Sequence, residues 1–291
     1  MKVRTLAGVL VIVLLLAAVV PLHQQMVALH DTYPSEFRSY YIPSSAYLKV
    51  ACLGQDNFAA DLIFIWSIQY FDRYKQSVRD TYLLHTYDVI TDLDPRFYEA
   101  YIMGNLFLSL DKRWDMLYSL SDKGIAADPK DWLVAWDAGT YAFFQAHDYA
   151  KALKYFHIAY ARNPNRPILK DMLANAYKYQ GDYESSLHYW QSIAQEFAGQ
   201  EEHQASYFRF AAERNIFDLT IKIDLRNLTS AVAMYRRAKG APPPTLRALV
   251  SSGYLKSLPV DPDGKPYLYD PKTGAVTCQT PFKFRGKFGQ W

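Results

Sequence analysis

Residues 136–198 read WDAGTYAFFQAHDYAKALKYFHIAYARNPNRPILKDMLANAYKYQGDYESSLHYWQSIAQEFA, one unit written twice. Asp148-Tyr149 returns 34 residues later as Asp182-Tyr183. Phe143 returns as Tyr177, Ala152 as Ser186 and Phe156 as Trp190, all at that offset. A period of this length predicts a helical hairpin per unit, which must stack on a neighbour to bury its apolar face. The rhythm extends outward. Asp94-Pro95, Asp128-Pro129 and Asn163-Pro164 place prolines 34 and 35 residues apart. Proline closes a helix because it lacks the N–H that would continue it and restricts the residue before it. Tyr101 and Trp136 share one equivalent place, Gly104 and Gly139 another, where a small residue lets two helices approach. The expected units are 97–130, 131–165 and 166–199, preceded by a degenerate one at 57–96.

With an aromatic in the first helix, a small residue early in the second and proline after it, this pattern resembles the tetratricopeptide repeat. The resemblance covers roughly half the chain. There are two departures: the glycine lies one place earlier than in the family pattern, and His147 stands where a glycine usually separates the helices. The resemblance implies an α-solenoid whose first helices line a concave groove. On this sequence the groove would carry Asp137, Tyr141, Phe144, Asp171, Asn175, Lys178 and Tyr179, with Leu106 and Leu110 toward the N-terminus. Rings for area and charges for register suit an extended peptide or a partner helix. Asn175 with Lys178 is similar to part of the family's clamp for a C-terminal carboxylate, but Asp137 and Asp171 oppose an anion. Ordinary solvated surface is the competing reading for each of these residues.

The 291 residues are half hydrophobic, ample for one or two domains. A net charge of +3 with scattered lysines and arginines gives no basis for a nucleic-acid surface. Sixteen per cent aromatics, 24 of them Tyr, fits helices packed through rings whose hydroxyls reach water. Two cysteines, Cys52 and Cys278, exclude a disulfide-rich scaffold and any cysteine-based zinc finger.

Lys2 and Arg4 precede an uncharged run of 17 residues, Leu6 to Leu22. Its length lies between a secretion-signal core and a membrane span. No good cleavage site follows Ala17-Ala18, which favours an uncleaved anchor over a signal. The basic residues before the run then place the rest of the chain outside the cytoplasm. There the two thiols can oxidise, so a Cys52–Cys278 bond stays open beside two unpaired cysteines. Residues 23–55 read as an extended lead-in with a short turn near 36–41. A helix is expected from Asp56 or Asn57, apolar most of the way round through Phe58, Leu62, Phe64, Ile65, Trp66 and Ile68. Cover by the lead-in and the next helix is one reading; docking of Phe64, Ile65 and Trp66 on a membrane-embedded partner is the other. The strings Ala60-Asp61-Leu62, Ile68-Gln69-Tyr70-Phe71 and Thr91-Asp92-Leu93-Asp94-Pro95-Arg96-Phe97 resemble a group of membrane-anchored bacterial repeat proteins of unassigned role. That likeness implies an envelope location and no activity.

Beyond the repeats, 201–223 reads as a capping helix or helix pair, and 225–239 as a further helix stopped by Gly240 and Pro242-Pro243-Pro244. Turn-rich segments around Asp261-Pro262-Asp263-Gly264 and Asp270-Pro271-Lys272-Thr273-Gly274 predict a small hairpin. This stretch resembles the C-terminal parts of bacterial pseudopilins and similar small envelope modules, although here a whole solenoid separates it from the anchor. Asp261, Asp263 and Asp270 could gather a calcium ion, or shape turns through nearby N–H groups, the favoured reading. The tail from Lys283 is basic and aromatic. The seven histidines show no metal-ligand spacing, and no P-loop, nucleophile elbow or haem-attachment cysteine pair is present.

The expected fold is all-α: a membrane anchor or signal at 1–22, a lead-in at 23–55, a solenoid at 56–222, and a C-terminal helix with a short β-hairpin at 223–291, a small α+β module. The expected role is a non-enzymatic scaffold or adaptor outside the cytoplasm, in assembly of an envelope or secreted structure. It would bind protein partners through the groove and the membrane through the N-terminal helix, without cofactor, metal or nucleic acid. A periplasmic holdase for exported clients and a structural subunit of a membrane complex are the alternatives.

Overall fold

The structure, a computed structural model, describes residues 42–73, 76–200 and 203–282 and the isolated positions 17, 21, 24 and 25; side chains at 70–81 and 203 lie outside the description. The expected anchor at 6–22, the lead-in through 41 with its turn at 36–41, and the tail at 283–291 fall outside the described residues. No helix among the described residues is long and apolar enough to cross a membrane. The chain is mostly helical and forms two compact units, Met1–Leu120 and Ser121–Trp291.

The first unit holds α1 (Ser45–Ala51), α2 (Asp56–Arg73), α3 (Gln76–Leu93), α4 (Tyr98–Leu110) and the start of α5 (Trp114–Ala127), within which the division falls. Helix α2 begins where the capping residues predict, and α3 ends at Leu93, just before Asp94-Pro95. The Asp94 carboxylate accepts from the Arg96 N–H at 3.0 Å, so the acidic residue before the proline turns the chain into α4. Gly104 has the role expected of it. A Cβ there would lie 2.6 Å from Leu120 Cδ2 and 2.9 Å from Tyr87 Cγ. Tyr87 is fully buried between α2 and α4, its hydroxyl 3.1 Å from that of Ser67, and burial pushes its pKa up.

One expectation is corrected here. The end of the lead-in is not extended but forms α1, because tertiary contacts override its weak local signal. The Ser45 hydroxyl donates to Asp92 Oδ2 at 2.6 Å, and His85 Nε2 lies 2.9 Å from the Ile42 carbonyl oxygen, so the N-terminal end of the segment is tied to α3 at two points.

The second unit stacks two hairpins. The first is α6 (Leu133–Tyr141), continued by a π-turn (Ala142–Ala146), with α7 (Tyr149–Arg162); the second is α8 (Pro167–Gln180) with α9 (Tyr183–Glu196). The repeated Asp-Tyr dipeptide proves to be a start signal. Asp148 accepts from the Lys151 N–H at 2.9 Å and Asp182 from the Ser185 N–H at 3.0 Å, each an N-cap worth ~1 kcal/mol. Between the helices the chain is left-handed at His147 (φ 54°) and Gly181 (φ 93°), the same place one period apart. Phe156, Leu169, Leu173, Trp190 and Ile193 fill the interior. At ~1.5–3 kcal/mol for each fully buried large side chain, this packing outweighs helix propensity as the force that holds the stack. Arg162 at the end of α7 donates to the carbonyls of Ile125 (2.9 Å), Asp128 (3.2 Å) and Asp131 (2.6 Å), binding the α7 terminus to the turn after α5.

A second correction concerns the C-terminal side. The two helices expected at 201–223 and 225–239 are one, α10 (His203–Lys239), 37 residues long. No glycine or proline interrupts it, so nothing ends it before Gly240 (φ 79°). Its first half packs on α9 through Ala205, Phe208, Ala212 and Leu219. Its second half carries α11 (Arg247–Ser251) and a two-stranded antiparallel hairpin, β1 (Leu268–Tyr269) with β2 (Val276–Thr277). Ala231, Val232 and Leu249 centre that small core, Tyr267 donates to Asp224 of α10 at 2.7 Å, and Tyr269 donates to the Pro243 carbonyl at 2.6 Å.

Candidate functional site

Helix α8 carries four of the residues expected in the groove, Asp171, Asn175, Lys178 and Tyr179, and the π-turn carries Phe144. On α8, Asp171, Asn175 and Lys178 fall at i, i+4 and i+7 on one stripe. They form a row tied by hydrogen bonds rather than three loose side chains. Asn175 Nδ2 donates to Asp171 Oδ1 at 2.6 Å, and Lys178 Nζ donates to Asn215 Oδ1 on α10 at 2.7 Å. Asp171 is 7% exposed, and burial raises its pKa to about 6, against the opposing bond from Asn175. Burial also lowers the Lys178 pKa, helped by Lys222 and Arg214 and opposed by Asp218. The row is therefore largely desolvated and nearly balanced in charge, unlike an anion clamp.

Beside it lies an aromatic cluster. Tyr179 stacks on Tyr149 (centroids 5.3 Å apart, planes 25°) and meets the edge of Phe143 at 5.5 Å. Phe144 packs edge-on to Phe143 at 4.8 Å. Phe143 is buried, whereas Phe144 and Tyr179 are 57% and 59% exposed. Consecutive side chains of a helical turn diverge by roughly 100°, so Phe143 points inward and Phe144 outward at this elbow. Asp137 and Tyr141 of α6 are half-buried, and each takes part in further interactions. In the first unit, Leu106 and Leu110 are both exposed on α4.

The remaining expected residues divide. Of Phe64, Ile65 and Trp66, only Ile65 faces solvent; Phe64 is half-buried and packs on Phe97 at 4.9 Å, and Trp66 is half-buried. Cys52 and Cys278 are half-buried free thiols, one in each unit. Of the three aspartates weighed for calcium, Asp261 and Asp270 serve the turns. Asp261 accepts from the N–H groups of Asp263 (3.0 Å) and Lys265 (2.7 Å) and from the Thr280 hydroxyl, the largest cause of its lowered pKa. Asp270 accepts from the Lys272 N–H and the Thr273 hydroxyl. Among the described residues, no group of three or more His, Cys, Asp or Glu is placed to hold a metal ion.

The sequence reading missed Asn215 and Lys222, because it read 201–223 as a cap on the solenoid and carried the groove no further than the unit ending at 199. Extending the repeat through 203–222 would have brought them in. It also missed Tyr149, which served only to mark the 34-residue offset.

No family model matches this chain, and no curated protein matches it. Among solved structures, one of MamA AMB-1 is similar at 17% identity and a TM-score of 0.37, over 51% of this chain and 78% of that one. A likeness that low carries no argument about fold or function.

Proposed function

We propose that this chain is a non-enzymatic tetratricopeptide-type scaffold, anchored to a membrane by residues 6–22 and facing outside the cytoplasm, with a small C-terminal module appended. Its second unit captures a protein segment, an extended peptide or a helix, across α6, α8 and α10. One observation carries the reading. A polar row already ordered by hydrogen bonds, Asp171–Asn175 and Lys178–Asn215, runs beside two half-exposed rings, Phe144 and Tyr179. Pre-ordered polar groups lose little entropy on binding, and exposed rings on a rigid elbow supply contact area at low cost. The balanced charge favours a segment with mixed polar and apolar side chains over a strongly acidic or basic one.

The test is site-specific photocrosslinking in membranes of the native host, with the crosslinker at 144 or 179 in the full chain. The expected result is one dominant adduct from both positions and none from a crosslinker at His188, which is exposed on α9. Equal labelling from His188, or no adduct from either groove position, overturns the proposal. A ladder of many adducts lost on Tyr179→Ala points to a holdase instead.

A further inference from the structure

Helix α2 carries an apolar face that nothing in the described structure covers. Phe58, Leu62 and Ile65 are 61%, 53% and 55% exposed, and Ile68 continues the same face. These residues recur at helical spacing, whereas Ala60 and Ser67 on the opposite side are buried. Just before it, α1 has no buried residue and leaves Tyr47 and Val50 open, and Leu53 follows in the turn. A soluble surface scatters such side chains singly; an apolar stripe along one helix marks a contact.

From this stripe we infer that α2 lies in the headgroup region of a lipid bilayer, as an interfacial helix beside the anchor. The inference rests on the anchoring proposed above. Its argument is position and chemistry. Nineteen residues separate the uncharged run ending at Leu22 from Ile42. At ~3.5 Å per residue they span at most about 65 Å, so a bilayer holding the run is always within reach of α2. A tether of that length keeps the local concentration of lipid surface high, and modest apolar area then suffices for binding. Between Phe58 and Ile68 the helix has no lysine or arginine, and its one carboxylate, Asp61, is exposed on this same face, between Ile65 and Ile68 in helical angle. Insertion therefore depends on apolar area, not on attraction to anionic headgroups. A protein partner would ask for polar groups to fix register, and this face offers few.

The test uses the full chain with Cys52 and Cys278 replaced by serine, reconstituted in phosphatidylcholine vesicles with and without phosphatidylglycerol. Nitroxide labels are placed singly at Leu62→Cys, Ile65→Cys, Val13→Cys and Lys272→Cys. Collision with oxygen and with a water-soluble nickel complex is read at each site. The expected result is an oxygen-to-nickel ratio severalfold higher at 62 and 65 than at 272, unchanged by phosphatidylglycerol. Labels at 62 and 65 that read as aqueous overturn the inference. So do labels shielded from both reagents, which would place protein, a second copy or residues 23–41, over the face. The label at 13 reports the anchor separately. If it is aqueous the anchoring fails, and the ratios at 62 and 65 still decide the fate of α2.

Discussion

Gly139 offers the sharpest test of the stacking argument. A Cβ built on it would lie 2.6 Å from both Cδ1 and Cε1 of Phe156. Carbon atoms rest at ~3.5–4.0 Å, so Gly139→Ala requires the ring to withdraw by about 1 Å. Phe156 has nowhere to go: it is fully buried, with Trp136 at 5.6 Å and Phe143 at 6.4 Å between centroids. Overpacking of this kind costs ~1–3 kcal/mol, while alanine's better helix propensity offsets ~1 kcal/mol. The net expectation is a loss of about 1 kcal/mol, or roughly 2–4 °C in Tm for a unit of this size. Denaturant unfolding of the full chain in detergent, followed by circular dichroism, measures it. Phe156→Leu supplies the second arm. It loses packing on its own but opens the space that the alanine methyl needs. The double variant should therefore be more stable than the sum of the single losses by at least ~0.5 kcal/mol. A Gly139→Ala chain at or above wild-type stability, or a strictly additive cycle, refutes the close approach of α6 and α7.

Three further outcomes are expected. Asp171 has a folded pKa near 6, above its unfolded value of 3.8, so the stability it contributes is fully present below about pH 3.8 and is lost as pH rises through about 6. Asp171→Asn should flatten that fall and stabilise the chain by up to ~2–3 kcal/mol above pH 7, less if the bond to Asn175 weakens; parallel stability profiles for the two proteins refute it. His147→Gly should stabilise by up to ~1 kcal/mol in the same unfolding assay, since a left-handed backbone costs a side-chain-bearing residue about that much. Arg162→Met should cost ~1.5–3 kcal/mol and speed amide hydrogen exchange around 125–131, where its guanidinium holds three carbonyls; unchanged exchange there would show those bonds to be idle.

The repeat was legible in sequence where backbone chemistry leaves a fixed residue. Proline after Asp94, Asp128 and Asn163 marks the helix ends, Asp148-Tyr149 and Asp182-Tyr183 mark the period, and Gly104 and Gly139 mark the close approaches. The less legible features depend on packing. α1 forms only because α3 receives it. The π-turn at 142–146 is one of them, since no local residue announces it. α2 is apolar on nearly every side, so sequence could not tell the Ile65 face from the Phe64 face. On α8, the residue types and their shared stripe were readable. The burial of Asp171 and the bond from Lys178 to Asn215 were not, because both depend on where α10 lies.

The unbroken length of α10 gives the second unit a mechanical property. Asn215, which holds Lys178, and Val232, which seats the C-terminal hairpin, share one rod and lie about 25 Å apart at 1.5 Å per residue. A tilt of about 5° imposed at the groove would swing the distant hairpin by about 2 Å, with no hinge to absorb it. Occupancy at one end would thus be transmitted to the other as displacement, and a glycine pair inserted near Asp224 should uncouple the two.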